Sequence, residues 1–82
     1  MEKKEKQREK LFQELIYLLQ DAKNNFSFYV SHGYLNSEGI KIKMQIIKKY
    51  IELQNEKTIL KYLNKNREED FIKLINLVEN SI

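Results

Sequence analysis

The stretch IKIKMQIIKKYIEL, residues 40–53, decides the fold of this chain. At about 100° per residue, the spacing of an α-helix, its apolar side chains fall into two adjoining stripes. The first stripe holds Ile40, Met44, Ile47 and Ile51, and the second holds Ile42, Ile46, Tyr50 and Leu53. Together the stripes cover roughly 200° of the helix, about twice the arc that a surface helix turns toward one core. We therefore expect this helix to lie at the centre of a bundle, between two neighbours.

The remaining side of the same helix is polar, and three lysines dominate it. Lys41, Lys48 and Lys49 lie within about 100° of one another there. Such a lysine strip either keeps the surface solvated or attracts an acidic protein or a phosphate backbone. Both interpretations stay open from the sequence.

Length and composition favour a single helical domain over residues 1–82. The chain has no proline, only two glycines and 41% hydrophobic residues, so little interrupts helix formation. It has no cysteine, which excludes disulfides and thiolate metal sites. No apolar run approaches the ~18 residues of a membrane span, and the expected compartment is the cytoplasm.

The segments before and after residues 40–53 are expected to supply the other helices. Residues 1–10 are polar and form either a solvated helical extension or a frayed first turn. From Leu11 an apolar stripe keeps its phase to Val30, which predicts one helix over residues 6–32 with Gly33 just past its end. Ser37 is then expected to cap the next helix through its hydroxyl.

Beyond Leu53 the apolar phase shifts, which favours a break near residues 54–57. Asn66 to Glu69 has the spacing of a capping box, which predicts the start of the last helix. That helix carries an apolar face formed by Phe71, Leu74, Ile75, Val78 and Ile82. The fold class is therefore all-α, a bundle of three helices or of four, with two long N-terminal helices and a shorter C-terminal one.

The sequence gives little reason to expect catalysis or a cofactor. His32 is the only histidine, and the serines near it lack the glycine-rich elbow and carboxylate of a nucleophilic triad. The acidic run at Glu68 to Asp70 suits the first turn of a helix, where the helix dipole favours negative charge. We expect no enzyme, no bound metal and no cofactor.

Exposed aromatic residues instead indicate a binding surface. Tyr17 and Phe28 fall off the apolar stripe of the first helix, and Tyr34 lies in the loop that follows it. Together with Lys41, Lys48 and Lys49 they form the predicted partner-binding set. The leading hypothesis is a non-catalytic regulator, inhibitor or immunity-type factor that binds another protein. A homodimer is also expected, because the long helix pair leaves apolar surface that a second copy would cover.

The alternative is a nucleic-acid-binding regulator. In that hypothesis residues 40–54, a short turn and residues 58–64 form a helix-turn-helix around residues 40–65. The residues that would face DNA are Thr58, Lys61, Asn64 and Lys65. The turn lacks the glycine that this motif often contains.

Overall fold

The structure, a computed structural model, describes the backbone of residues 2–82 and the side chains of residues 6–82. Within that range the α-helices are α1 (Glu2–Asn24), the short α2 (Phe26–Tyr29), α3 (Ser37–Gln54) and α4 (Glu68–Ser81). A hairpin of β1 (Val30–Ser31) and β2 (Tyr34–Leu35) follows α2, and a 3-10 helix (Thr58–Tyr62) follows α3. The predicted all-α bundle, with two long N-terminal helices and a shorter C-terminal one, is confirmed, and 78% of the chain is helical.

The polar extension at the N-terminus belongs to α1. Its backbone is helical from Glu2 onward, while the side chains of residues 1–5 lie outside the described part of the chain. None of the helices in residues 2–82 combines the length and the apolar character that a membrane-spanning helix needs.

Helix α3 lies in the core, as its apolar pattern predicts. The second stripe is buried along its whole length. The first stripe is buried less evenly, because Ile40 and Ile51 are partly buried and Met44 is 43% exposed. Helix α1 and the 3-10 helix both pack against α3, and α4 packs against the 3-10 helix and β2.

Helix α1 ends at Asn24, so the predicted continuous helix over residues 6–32 is wrong. The side-chain amide of Asn25 donates to Oδ1 of Asp21 at 2.7 Å, a local bond of the kind that competes with helix continuation. The bend that follows brings the ring of Phe26 onto that of Phe71, with 5.8 Å between ring centroids. The asparagine pair therefore redirects the chain toward α4.

After α2 the chain turns back on itself in the short hairpin. Val30 pairs with Leu35 and Ser31 with Tyr34 in antiparallel register. His32 and Gly33 both have positive φ, 55° and 81°, as the two central residues of a type I′ turn require. Gly33 thus sits in a hairpin turn and does not end a long helix.

The start of α3 is fixed by Asn36 and Gly39. Asn36 is the N-cap in place of Ser37, and its Oδ1 accepts from the Gly39 amide at 2.8 Å. The side-chain amide of Asn36 also donates to the carbonyl of Phe28 at 2.6 Å. A Cβ added at Gly39 would overlap the carbonyl oxygen of Tyr29 and lie 3.0 Å from Cδ2 of Leu35. Glycine is therefore needed for the hairpin to rest on the first turn of α3.

The end of α3 confirms the predicted break. The helix stops at Gln54, and Asn55 adopts the left-handed conformation with φ 53°. Arg8 of α1 donates from its guanidinium to the carbonyl of Leu53 at 3.0 Å, which satisfies one acceptor at the helix end. The polar extension of α1 therefore contributes a cap to α3.

Lys43 is fully buried, although the sequence pattern gave it no special role. Its ammonium donates to the carbonyls of Leu63 at 2.9 Å and Lys65 at 3.1 Å, and to Oδ1 of Asn66 at 2.6 Å. An ammonium has three donors, so all of them are used. Burial lowers the pKa of Lys43, because desolvation penalises the charged form; the three charge-assisted hydrogen bonds act in the opposite direction.

This arrangement overturns the predicted capping box. The Asn66 side chain accepts from Lys43, and the N-cap of α4 is Arg67, which makes no side-chain capping bond. The segment is instead joined to the hairpin, since the Leu35 amide donates to the Asn66 carbonyl at 2.7 Å and the Glu68 amide donates to the Gly33 carbonyl at 2.9 Å. Lys43 therefore holds the entry to α4 against α3, and the two backbone hydrogen bonds join that entry to the hairpin.

Replacing Lys43 with methionine tests this role. We expect Lys43→Met to lower the free energy of unfolding by about 1–3 kcal/mol, because three acceptors lose their donor. Lys48→Met, at an exposed position on the same helix, should change it by about 0.5 kcal/mol or less. Urea unfolding measures both. Amide exchange at Leu35 and Glu68 should accelerate in Lys43→Met alone, and equal unfolding midpoints for the two variants would contradict the role.

Candidate functional site

An open groove of about 450 Å³ runs between α1 and α3. Its walls are formed by Lys10, Gln13, Glu14, Tyr17 and Leu18 of α1 and by Gln45 and Lys49 of α3. A second depression continues it toward the N-terminal end of α1 and shares Lys10, Glu14 and Lys49. The groove stays open because its α3 residues lie on the polar side of that helix, and its α1 residues lie at the edge of the apolar stripe of α1.

An ion pair crosses the groove. The ammonium of Lys49 donates to Oε2 of Glu14, and both side chains are partly exposed. This hydrogen bond lowers the pKa of Glu14, and the charges of Lys49 and Lys10 lower it further. The pair links α1 to α3 across the groove, and Lys10 adds a cation to the rim.

Tyr17 is the large exposed side chain of the groove. It is 69% exposed, well above what an aromatic residue packed on a core shows. A ring that presents an apolar body and a polar tip to solvent is the type of residue enriched at protein interfaces. Tyr17 therefore offers the main apolar contact for a partner.

Beyond Tyr17 the aromatic surface continues through Tyr29 to Phe28. The Tyr29 hydroxyl donates to Oδ2 of Asp21 at 2.7 Å. The Phe28 ring stands edge-on to that of Tyr29, with 5.3 Å between centroids and a 79° angle between planes, and it is 64% exposed. The Asp21 carboxylate, which also holds Asn25, thus positions the ring that supports Phe28.

The three strip lysines differ in their surroundings. Lys49 lines the groove with Tyr17, so the structure brings together two residues of the predicted set. Lys41 lies 3.5 Å from the carboxylate of Glu38 on its own helix, at an exposed position. Lys48 is exposed next to Lys49. The lysine strip therefore forms the α3 side of the face that carries the groove.

Tyr34 does not join this face. It lines a separate depression with Gly33, Arg67, Glu68 and Glu69, where β2 meets the start of α4. The predicted set thus divides into one surface on α1, α2 and α3, and one residue elsewhere.

The residues of the DNA-binding alternative lie around the 3-10 helix. Thr58, Lys61, Asn64 and Lys65 are all exposed. The segment after the turn is a 3-10 helix of five residues, so the second α-helix of the predicted helix-turn-helix is absent from the described chain. The segment has the i→i+3 hydrogen bonding of a 3-10 helix, since the Lys57 carbonyl accepts from the Leu60 amide at 3.0 Å.

In the described part of the chain, no group of three or more acidic or histidine side chains is arranged to hold a metal ion. His32 lies in the hairpin turn, with Nδ1 2.9 Å from the Ser31 hydroxyl. The Glu68 amide donates to the Gly33 carbonyl, and this hydrogen bond joins the acidic first turn of α4 to the hairpin.

The geometry defines a small helical bundle with one aromatic and cationic groove. No protein-family model, no curated protein and no solved structure matches this chain. The function is therefore inferred from the surfaces themselves.

Sequence reasoning missed the groove residue Glu14, the ring of Tyr29 that supports Phe28, and the positioning residue Asp21. Asp21 and Asn25 stand four residues apart, which is the spacing for a side-chain contact on a helix. That spacing was visible in the sequence, but it gives no sign that Tyr29 shares the same carboxylate.

The Tyr29–Asp21 hydrogen bond predicts a pH-dependent stability. The bond to Asp21, then burial, then the charges of Asp21, Glu38 and Tyr17 raise the pKa of Tyr29 to about 12. The folded pKa thus lies above the ordinary value of about 10. The stabilisation of the fold by this hydrogen bond is complete below pH ~10 and is lost as the pH rises toward ~12.

We therefore expect Tyr29→Phe to be less stable than the parent by about 1 kcal/mol at neutral pH, with the difference shrinking between pH ~10 and ~12. Chemical unfolding at several pH values measures this difference. Tyr17→Phe, at an exposed ring, is the matched control. A Tyr29→Phe deficit that persists unchanged at the highest pH would contradict the bond's role.

Proposed function

We propose that this protein is a non-catalytic interaction protein, a regulator, inhibitor or immunity-type factor, that binds another protein through the groove between α1 and α3. The observation that carries the proposal is the exposed ring of Tyr17 beside the Lys49–Glu14 pair. The exposed ring of Phe28 is linked through Tyr29 to Asp21, one turn after Tyr17 on α1. Aromatic anchors surrounded by charged residues are typical of protein interfaces.

The groove also indicates what the partner presents. Tyr17 and Phe28 suit an apolar contact, and Lys10, Lys41 and Lys48 suit carboxylates at the rim. Rim charges steer association and mainly change its rate, whereas a buried anchor residue determines how long the complex lasts. The partner is therefore a protein with an apolar patch bordered by acidic residues.

Site-specific photo-cross-linking tests this proposal. A photoreactive phenylalanine derivative at position 17 should capture one protein from the source-cell extract, and excess unlabelled parent should suppress the capture. The same derivative at position 60, exposed on the 3-10 helix, should not capture that protein. Mass spectrometry identifies it.

Affinity measurements with the captured protein then separate the roles of the residues. Tyr17→Ala should weaken binding at least tenfold, as expected when an anchor contributes more than ~1.4 kcal/mol. Leu60→Ala, at an exposed apolar residue of the 3-10 helix, should bind as the parent does. Lys41→Glu with Lys48→Glu should slow association more than it speeds dissociation. Unchanged affinity in Tyr17→Ala would reject the groove as the binding surface.

A second surface favours self-association, and we propose that two copies pair through it. Phe12 of α1 and Ile72 of α4 are 41% and 44% exposed, and they border two shallow depressions of about 290 and 240 Å³. Both depressions include the ion pair of Lys23 and Glu79, whose charged atoms are 2.8 Å apart. Under two-fold symmetry the apolar side chains of one copy face those of the other.

Sedimentation equilibrium tests the dimer. The parent should exceed its monomer mass of 10.0 kDa as concentration rises through the micromolar range. Phe12→Glu with Ile72→Glu should stay monomeric, while Tyr17→Glu should still associate. A 10.0 kDa species at high micromolar concentration would rule the dimer out.

A further inference from the structure

We infer that the lysines of the segment after α3 form a second binding surface, which contacts the phosphate backbone of a nucleic acid duplex without reading its sequence. The surface consists of Lys57, Lys61 and Lys65, and we call it the 3-10 cluster. It lies apart from the groove between α1 and α3, so it is independent of the proposed function.

The 3-10 cluster is organised around one buried ring. The ammonium of Lys61 lies 5.2 Å, and that of Lys65 5.9 Å, from the centroid of the Tyr62 ring. Tyr62 is buried, and the neighbouring Ile59 is fully buried, so the ring is anchored in the core. Cation–π contact with a fixed ring restrains both lysines near one place on the surface.

The backbone beneath the cluster is fixed as well. The carbonyls of Leu63 and Lys65 both accept from the buried ammonium of Lys43. This ammonium adds a positive charge under the segment that carries the exposed lysines. A positive potential from several cations of fixed position raises the local concentration of anions.

No carboxylate of the described side chains lies within ion-pair distance of the three cluster lysines. The nearest acidic residue in sequence before the 3-10 helix, Glu56, is used differently, because its Oε1 accepts from the Thr58 amide at 3.0 Å. Hydrogen bonds from Thr58 lower the pKa of Glu56. The three ammonium groups are therefore open to an external anion, while the Glu56 carboxylate is engaged by Thr58.

The residue types favour phosphates over an acidic protein. Protein interfaces are depleted in lysine and enriched in exposed aromatic residues, whereas the aromatic ring here is buried under its lysines. Lysine, threonine and asparagine side chains are among those that contact phosphate oxygens. Beside the lysines of the cluster, Thr58 and Asn64 are also exposed.

The geometry also selects a backbone contact on a duplex. A five-residue 3-10 helix is too short to serve as a recognition helix in the major groove, so base edges are not read. Single-stranded binding relies on exposed aromatic side chains on which bases stack, and Tyr62 is not available for stacking. The expected binding is salt-dependent and indifferent to sequence.

Fluorescence anisotropy with a labelled DNA duplex of mixed sequence tests the inference. If the three lysines neutralise three phosphates, the logarithm of the association constant should fall with the logarithm of salt concentration with a slope of roughly −2.7. K57Q/K61Q/K65Q should bind at least tenfold more weakly at low salt, with a slope near zero.

A control with the same net charge separates a local surface from overall charge. K41Q/K48Q/K73Q removes three exposed lysines elsewhere and should retain the parent affinity and slope. Circular dichroism verifies that both triple variants remain helical. Tyr17→Ala should also bind the duplex as the parent does, which keeps this test distinct from that of the groove.

Three results would overturn the inference. Equal losses in the two triple variants would show that only net charge matters. Unchanged binding in K57Q/K61Q/K65Q would place the contact elsewhere. Equal affinity for polyglutamate of matched length would show that the cluster attracts any polyanion, an acidic protein included.

Discussion

The fold depends on the burial of one charged group. An ammonium group removed from water is tolerated only where oxygen acceptors replace its hydration shell. In this chain the acceptors come from residues 63–66, so that segment must close over α3 before Lys43 is satisfied. The same segment joins β2 and begins α4. Lys43 thereby joins α3 to the segment before α4, which backbone hydrogen bonds in turn join to the hairpin. It helps to specify how the last part of the sequence is placed.

The regular part of the architecture could be predicted from the sequence, because it follows from side-chain periodicity. The two stripes of residues 40–53 predicted a core helix, and the phase shift after Leu53 predicted the break at Gln54. Lys43 lies in the middle of the apolar arc of that helix, three residues before Ile46 and four before Ile47. Its burial was therefore signalled by position, but its acceptors are 20 or more residues away, and no local pattern reports them.

The predictions from sequence were wrong where one side chain had two competing hydrogen-bonding or packing roles. Asn66 had the spacing to cap α4, but a charged donor offered it a stronger hydrogen bond. The stripe of α1 continued through Asn25, yet Asp21 and the stacking of Phe26 on Phe71 favoured a bend. For the candidate site, the exposure of Tyr17 could be predicted from its angle on α1. Phe28 is also exposed, but its predicted angle assumed a continuous helix, whereas α1 ends at Asn24. The pairing of Tyr17 with Lys49 in one groove, and the separation of Tyr34 from it, depended on how the helices pack.

The two glycines differ in how well their positions tolerate substitution. Gly33 faces open space, and its left-handed conformation is one that asparagine also tolerates, so that site accepts substitution at modest cost. Gly39 has ordinary helical geometry but meets the backbone of Tyr29, and no side-chain rearrangement relieves a clash with a carbonyl. A distant descendant of this chain could exchange most surface residues and still retain glycine at position 39. That glycine, which directly precedes the alternating isoleucine and lysine residues 40–43, is a better marker of ancestry than any lysine on the surface.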